Sequence, residues 1–189
     1  MKQLGLYYDQ TRCVGCYTCA VACKDWHDVP AGPAFWMQVQ AIEEGTYPDL
    51  FAAYLVRPCY HCAQPACVPA CPAGAIVKSP ETGIVSVDRE ACLGFEACGG
   101  ACRESCPYGS PQFGAEDDPR MQKCDLCAAR WGEGKKPICV EGCPMRALDA
   151  GPLDELVQKY GDNCDAAGFV CHTDLKPAIV IKGKLPSTG

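Results

Sequence analysis

No stretch of about 18 apolar residues occurs in the 189-residue chain, so the sequence predicts no membrane span of its own. Its first residues, Met1 to Asp9, show neither the apolar core of an export signal nor a cleavage-site pattern, which argues against a secreted disulfide scaffold. A basic excess is also missing. The formal net charge of −6 excludes the cationic face that nucleic-acid binding needs, and it suits either plain solubility or docking on a basic patch of a partner. No Ser/His/Asp order stands out and no phosphate-binding loop appears. Gly94, Gly99 and Gly100 lie inside a cysteine run and do not follow a strand. Substrate chemistry is therefore expected of another chain.

What the chain has is cysteine, 18 of them, close to one residue in ten. Disulfides, zinc sites and iron–sulfur clusters compete to explain such usage. Zinc favours separate C-x2-C pairs, whereas Cys13, Cys16, Cys19 and Cys23 make three consecutive steps, C-x2-C-x2-C-x3-C. That spacing closes three cysteines on one [4Fe–4S] core and sends the fourth to a second core, so one run implies a partner run. Three more follow. Cys59, Cys62, Cys67 and Cys71 read C-x2-C-x4-C-x3-C-P; Cys92, Cys98, Cys102 and Cys106 read C-x5-C-x3-C-x3-C-P; Cys124, Cys127, Cys139 and Cys143 close the series. Sixteen soft thiolates fit four [4Fe–4S] clusters. Pro72, Pro107 and Pro144 turn the chain out of each site, while the first run has Lys24 instead. Thiols kept reduced and metallated point to the cytoplasm, with export alongside a partner left open.

Between the runs the pattern predicts short elements. A strand over Leu4–Tyr8 leads into the first run, and turn-prone residues follow from Lys24 to Pro33. A second strand, Phe51–Val56, ends the cysteine-free insert 24–58. One helical turn is expected over Ala73–Ile76, then a hairpin over Val77–Val87 with its turn at Pro80 to Gly83. Residues 107–122 read as a Gly/Pro-rich, acidic link. Leu153–Tyr160 reads as an amphipathic helix stopped by Gly161, and Ala178–Ile181 as a final strand.

These residues carry a resemblance. Arg12 to Asp25, Cys106 to Phe113, Lys123 to Cys127, Glu133 to Leu148 and Gly151 to Leu156 resemble the iron–sulfur electron-transfer subunits of the DMSO reductase family of complex molybdoenzymes. The likeness spans roughly residues 5–182 and is most specific over 120–160. It implies an α+β fold of two interleaved ferredoxin-like units related by a pseudo-twofold, in one four-cluster domain over 1–189. Unit one joins runs 13–23 and 124–143; unit two joins runs 59–71 and 92–106. The insert 24–58 and the extension 145–189 are expected to be docking surfaces. By position, the resemblance groups Cys13, Cys16, Cys19 and Cys143; Cys124, Cys127, Cys139 and Cys23; Cys59, Cys62, Cys67 and Cys106; and Cys92, Cys98, Cys102 and Cys71. The four clusters would sit in a line along which electrons hop.

The third run departs from the family spacing by three residues before Cys98 and one before Cys102, and is expected to loop the extra residues out. Gly94, Gly99 and Gly100 make that loop sterically easy. Cys164 and Cys171 are left over and read as free or half-buried thiols, the alternatives being a partner contact or a local disulfide. His27 and His61 read as spacers, Trp26, Trp36 and Trp131 as packing, and Lys123 and Arg146 as solvated charges. The function implied is a non-catalytic electron-transfer subunit between a molybdenum- or tungsten-pterin subunit and a second redox subunit, a flavoprotein or membrane anchor. The alternative is a free-standing or self-assembling polyferredoxin.

Overall fold

β1, Leu4–Asp9, is buried along its whole length and forms the centre of the molecule's largest sheet. The computed structural model describes residues 2–185. Successive side chains of a strand point to opposite faces. Leu4, Leu6 and Tyr8 accordingly pack into the main core among the cysteines, while Tyr7 joins Leu156 and Val180 on the other side. Each such large side chain contributes roughly 1.5–3 kcal/mol by leaving water.

From β1 the chain enters α1, Thr18–Trp26, which carries Cys19 and Cys23 one turn apart. The helix therefore continues into the stretch expected to be turn. From its last turn Lys24 reaches to the carbonyls of Gly32 and Ala34 and ties down the loop that follows. The insert folds as a long antiparallel hairpin, β2 (Gln38–Thr46) with β3 (Asp49–Arg57). Its base is buried through Ala53, Leu55 and Val56, and its tip is open at Tyr47 and Leu50.

β4 (Ile76–Lys78) and β5 (Val85–Val87) form the expected short hairpin, paired Ile76↔Val87 through Lys78↔Val85. The helical turn expected before it is absent. Gly74 sits at φ 63 and its N–H bonds back to the Cys71 carbonyl, closing a turn that cannot propagate as a helix. Four short helices follow: α2 (Phe95–Cys98), α3 (Ala101–Glu104), α4 (Ala128–Gly132) and α5 (Ile138–Glu141). β6 (Leu148–Pro152) then pairs antiparallel with β1. α6 (Leu153–Tyr160) covers that sheet, its Tyr160 ring stacked on Tyr7 at 3.6 Å, and Gly161 ends it at φ 88. β7 (Ile179–Lys182) closes the far edge of β1 in parallel.

The result is a mixed α+β fold of small sheets and short helices, compatible with a ferredoxin-like arrangement. Its two principal cores are built partly of cysteine. One joins Cys19, Cys23 and Cys139 to Leu6, Tyr8, Tyr60 and Leu126; the other joins Cys67, Cys92 and Cys102 to Ile76, Val85, Phe113 and Met121.

Candidate metal centres

Sixteen cysteines stand free and gather in fours. One cavity is lined by Cys13, Cys16, Cys19 and Cys143, with Tyr8, Val39 and Val56 on its walls. A second is lined by Cys59, Cys62, Cys67 and Cys106, with Tyr60, Tyr108 and Lys123. A third is lined by Cys71, Cys92, Cys98 and Cys102, with Ile76, Phe113 and Met121. Each of the three is lined by four cysteines and otherwise mostly by apolar side chains, which suits one kind of occupant in each.

The remaining four cysteines are electrostatic neighbours. Burial and then Cys127 push the Cys23 thiol up to about 12. Burial, with Cys23 and Cys139 among the neighbours, raises Cys124; burial, Cys23 and Cys127 raise Cys139.

Two pairs of cysteines explain how the runs cross over. Cys19 and Cys23 lie one turn apart on α1; Cys139 lies on α5, with Cys143 one turn beyond. α1 packs on α5 so that Cys19 shares a cavity with Cys143 while Cys23 neighbours Cys139. Cys67 and Cys71 stand in the same relation to Cys106 and Cys102. On α1 a rise of about 6 Å along one turn moves the chain from one quartet to the next.

The backbone is shaped to wrap these sites. Gly15 and Tyr17 adopt left-handed φ of 66 and 60, and Leu126 and Cys127 of 56 and 52. Amides then reach sulfur: Leu126 N–H lies 3.4 Å from Cys124 Sγ, Ala147 N–H 3.4 Å from Cys143 Sγ, and Met121 N–H 3.5 Å from Cys92 Sγ. Such bonds favour thiolate. The extra residues of the third run leave Cys92, Cys98 and Cys102 on one cavity, with Leu93, Glu96 and Ala97 exposed. They wind into α2, Phe95 meets Phe113 edge-on at 5.0 Å, and Gly99 and Gly100 turn the chain at φ 62 and 69.

Four sulfurs converging on each apolar cavity are the donor set that a cubane of four irons requires, so the residues fit a [4Fe–4S] cluster at each site.

Several residues taken for spacers or solvent charges sit elsewhere. His61 is buried; its Nδ1 accepts the Val85 N–H at 3.0 Å and its Nε2 faces Cys124 Sγ at 4.0 Å. His27 Nε2 lies 3.3 Å from Cys127 Sγ and 3.5 Å from an Asp125 carboxylate oxygen. Lys123, expected to be solvated, is buried, because Val85 and Cys124 offer carbonyls to its ammonium; Arg146 is exposed. The signal for His61 was its place inside C-x2-C, which ties a ring to a ligand loop; nothing local marked His27. Cys164 and Cys171, expected to be free thiols, form a disulfide. The loop between them brings their Cα atoms to 5.9 Å, within bonding reach. Trp36 and Trp131 pack as expected, each with its indole N–H bonded, to Gln122 and to the Leu126 carbonyl.

The sequence matches the family of the 4Fe-4S dicluster domain over residues 50–153. It is 44% identical to one chain of the anaerobic dimethyl sulfoxide reductase of Escherichia coli strain K12, over 95% of this protein and 88% of that one. It is 39% identical to the thiosulfate reductase electron transfer subunit PhsB of Salmonella typhi, over 82% and 78%. To one subunit of the sulfite dehydrogenase of Allochromatium vinosum it is 38% identical, over 82% and 71%.

Proposed function

This protein belongs to the iron–sulfur electron-transfer subunits of the DMSO reductase family, and from that membership we propose how its residues are divided among clusters and partners. It is a non-catalytic electron carrier that binds four [4Fe–4S] clusters. Each cluster, when bound, takes up or gives up one electron without making or breaking a bond to substrate.

The first site is held by Cys13, Cys16, Cys19 and Cys143, and the second by Cys23, Cys124, Cys127 and Cys139. The third is held by Cys59, Cys62, Cys67 and Cys106, and the fourth by Cys71, Cys92, Cys98 and Cys102. The observation that carries this division is that three cavities are each lined by four cysteines, while Cys23 is a neighbour of each of the other three that remain, Cys124, Cys127 and Cys139. The reciprocal crossing of Cys19/Cys23 with Cys143/Cys139, and of Cys67/Cys71 with Cys106/Cys102, supports two interleaved units related by a pseudo-twofold. The protein's part is to hold thiolates, direct amides at them and keep water out with Tyr8, Tyr60, Phe113 and their neighbours.

The electrons pass between a molybdenum- or tungsten-pterin catalytic subunit and a second redox subunit, which docks through the exposed hairpin tip of the insert 24–58 or the extension 145–189. Among the described residues no helix is long and apolar enough to cross a membrane. Metallation takes place in the reducing cytoplasm.

Anoxic purification of the tagged protein from its host tests this. About 16 iron and 16 sulfide per chain, with a stoichiometric large subunit that carries molybdenum or tungsten, is the expected result. About 12 of each would reject the four-site division, and a fully loaded protein that travels alone would reject the obligate partner.

A further inference from the structure

Lys123 is only 2% exposed. Its side chain lies on the boundary between the second and third quartets. It lines the cavity of Cys59, Cys62, Cys67 and Cys106, while its ammonium donates to the carbonyl of Cys124, at 2.9 Å, and to that of Val85. Val85 in turn donates its N–H to His61, the ring set between Cys59 and Cys62 that faces the Cys124 sulfur. Among the described residues, no carboxylate lies within ion-pair distance of Lys123.

A buried ammonium with only neutral carbonyl partners is costly, and buried charges persist where an opposite charge is close. A carboxylate does not provide it here. The two flanking quartets do, since four thiolates around a 2+ core leave a net charge of about −2 at each loaded site. His61 does not fill that role, because its Nδ1 accepts the Val85 N–H and the ring is therefore the neutral form. The neighbouring Lys78 ammonium donates to the carbonyls of His61, Cys62 and Gly83 and to Gln3, and to no group of the second quartet.

We propose that Lys123 is the counter-charge shared by the two inner cluster sites, a positioning residue that raises both their potentials together and so keeps them matched for the electron step between them. A positive charge favours the more negative, reduced state of any cluster near it, and it acts on both sites because it touches both. The inference rests on the four-site division proposed above.

The test is an EPR-monitored redox titration of the partner-bound, fully loaded protein, comparing wild type with Lys123→Met and Lys123→Arg. The expected result is unchanged iron, two midpoint potentials lowered and two unmoved in Lys123→Met, with wild-type values restored in Lys123→Arg. Unchanged iron with no potential moved, or with all four moved alike, overturns the proposal. If Lys123→Met loses iron, Lys123→Gln, which keeps a donor, is read in its place. If both neutral variants lose iron from two sites while Lys123→Arg retains it, the charge itself is required and the proposal stands. If Lys123→Arg loses iron equally, the site needs only the lysine shape and the proposal falls. A wild-type iron count short of four clusters would instead reject the division of ligands, which separates the two failures.

Discussion

The ring of Tyr54, on the insert hairpin, lies directly over the bare α-carbon of Gly15 between Cys13 and Cys16. Gly15 also stands at φ 66, where a side chain is strained. The insert thus clamps the first cysteine run, and its backbone is tied there too. The Tyr54 carbonyl accepts from the Tyr8 hydroxyl and from Gln10 Nε2 at 3.1 Å. Gly15→Ala would drive a methyl into that ring. The expected outcome is selective loss of the first site, with iron falling from about 16 to about 12 per chain, while Tyr54→Ala in the same background restores part of it. Full iron in Gly15→Ala alone would contradict the clamp.

His27 sets up a second prediction. Both atoms facing its Nε2, Cys127 Sγ and Asp125 Oδ1, are acceptors, so that nitrogen carries the hydrogen. The ring is held in place by Trp36, at 4.6 Å between centroids. A hydrogen bond to a ligand sulfur stabilises the reduced cluster and raises its potential. His27→Phe should lower one midpoint potential, that of the second site, and leave iron content unchanged. A redox titration showing no shift would leave the ring as packing alone.

Metal binding should respond to pH through the buried thiols. Burial and adjacent sulfurs push Cys19, Cys23, Cys62 and Cys67 up to about 12, and Cys102 up to about 11. A raised thiol pKa favours the protonated form of the metal-free site, an advantage fully present at neutral pH and lost only as pH climbs through about 11 to 12. Cluster ligation expels these protons. Apparent iron affinity should therefore rise steadily between about pH 6 and 9, by up to about tenfold per pH unit for each proton released. Anoxic competition against a chelator of known titration measures it, and a flat profile would show that the thiols are already ionised without metal.

The disulfide between Cys164 and Cys171 closes a loop that carries Phe169 onto Tyr108, the rings stacked 5.6 Å apart, and ends beside His172, whose N–H bonds the Tyr108 hydroxyl at 3.1 Å. Tyr108 lines the third cavity. Cross-linking so short a loop stabilises by about 2 kcal/mol. Cys171→Ser should speed amide exchange over residues 164–178 by roughly 30-fold or less, with exchange in β1 unchanged. Equal acceleration in β1 would mean that the bond supports the whole fold rather than this cap.

The number and kind of the clusters were legible in the chain itself. Soft sulfur at two- and three-residue steps has few uses other than an iron–sulfur core, and such spacing is local, so no tertiary knowledge is needed to read it. β1, the β4–β5 hairpin and α6 were legible for the same reason, since their apolar periods and turn residues are near in sequence. Gly74 defeated the helical turn expected over Ala73–Ile76, because one left-handed residue is enough to end it.

What only the tertiary structure decided are relationships across long sequence separations. His27 reaches Cys127, and Lys123 reaches Val85, because separate runs fold against each other. No local pattern tells a solvated lysine from a buried one; the difference lies in which carbonyls surround it. Likewise the bond between Cys164 and Cys171 depends on the loop geometry that brings their α-carbons to 5.9 Å. The kind of cofactor was written in spacing, and the surroundings of each cysteine were written in packing.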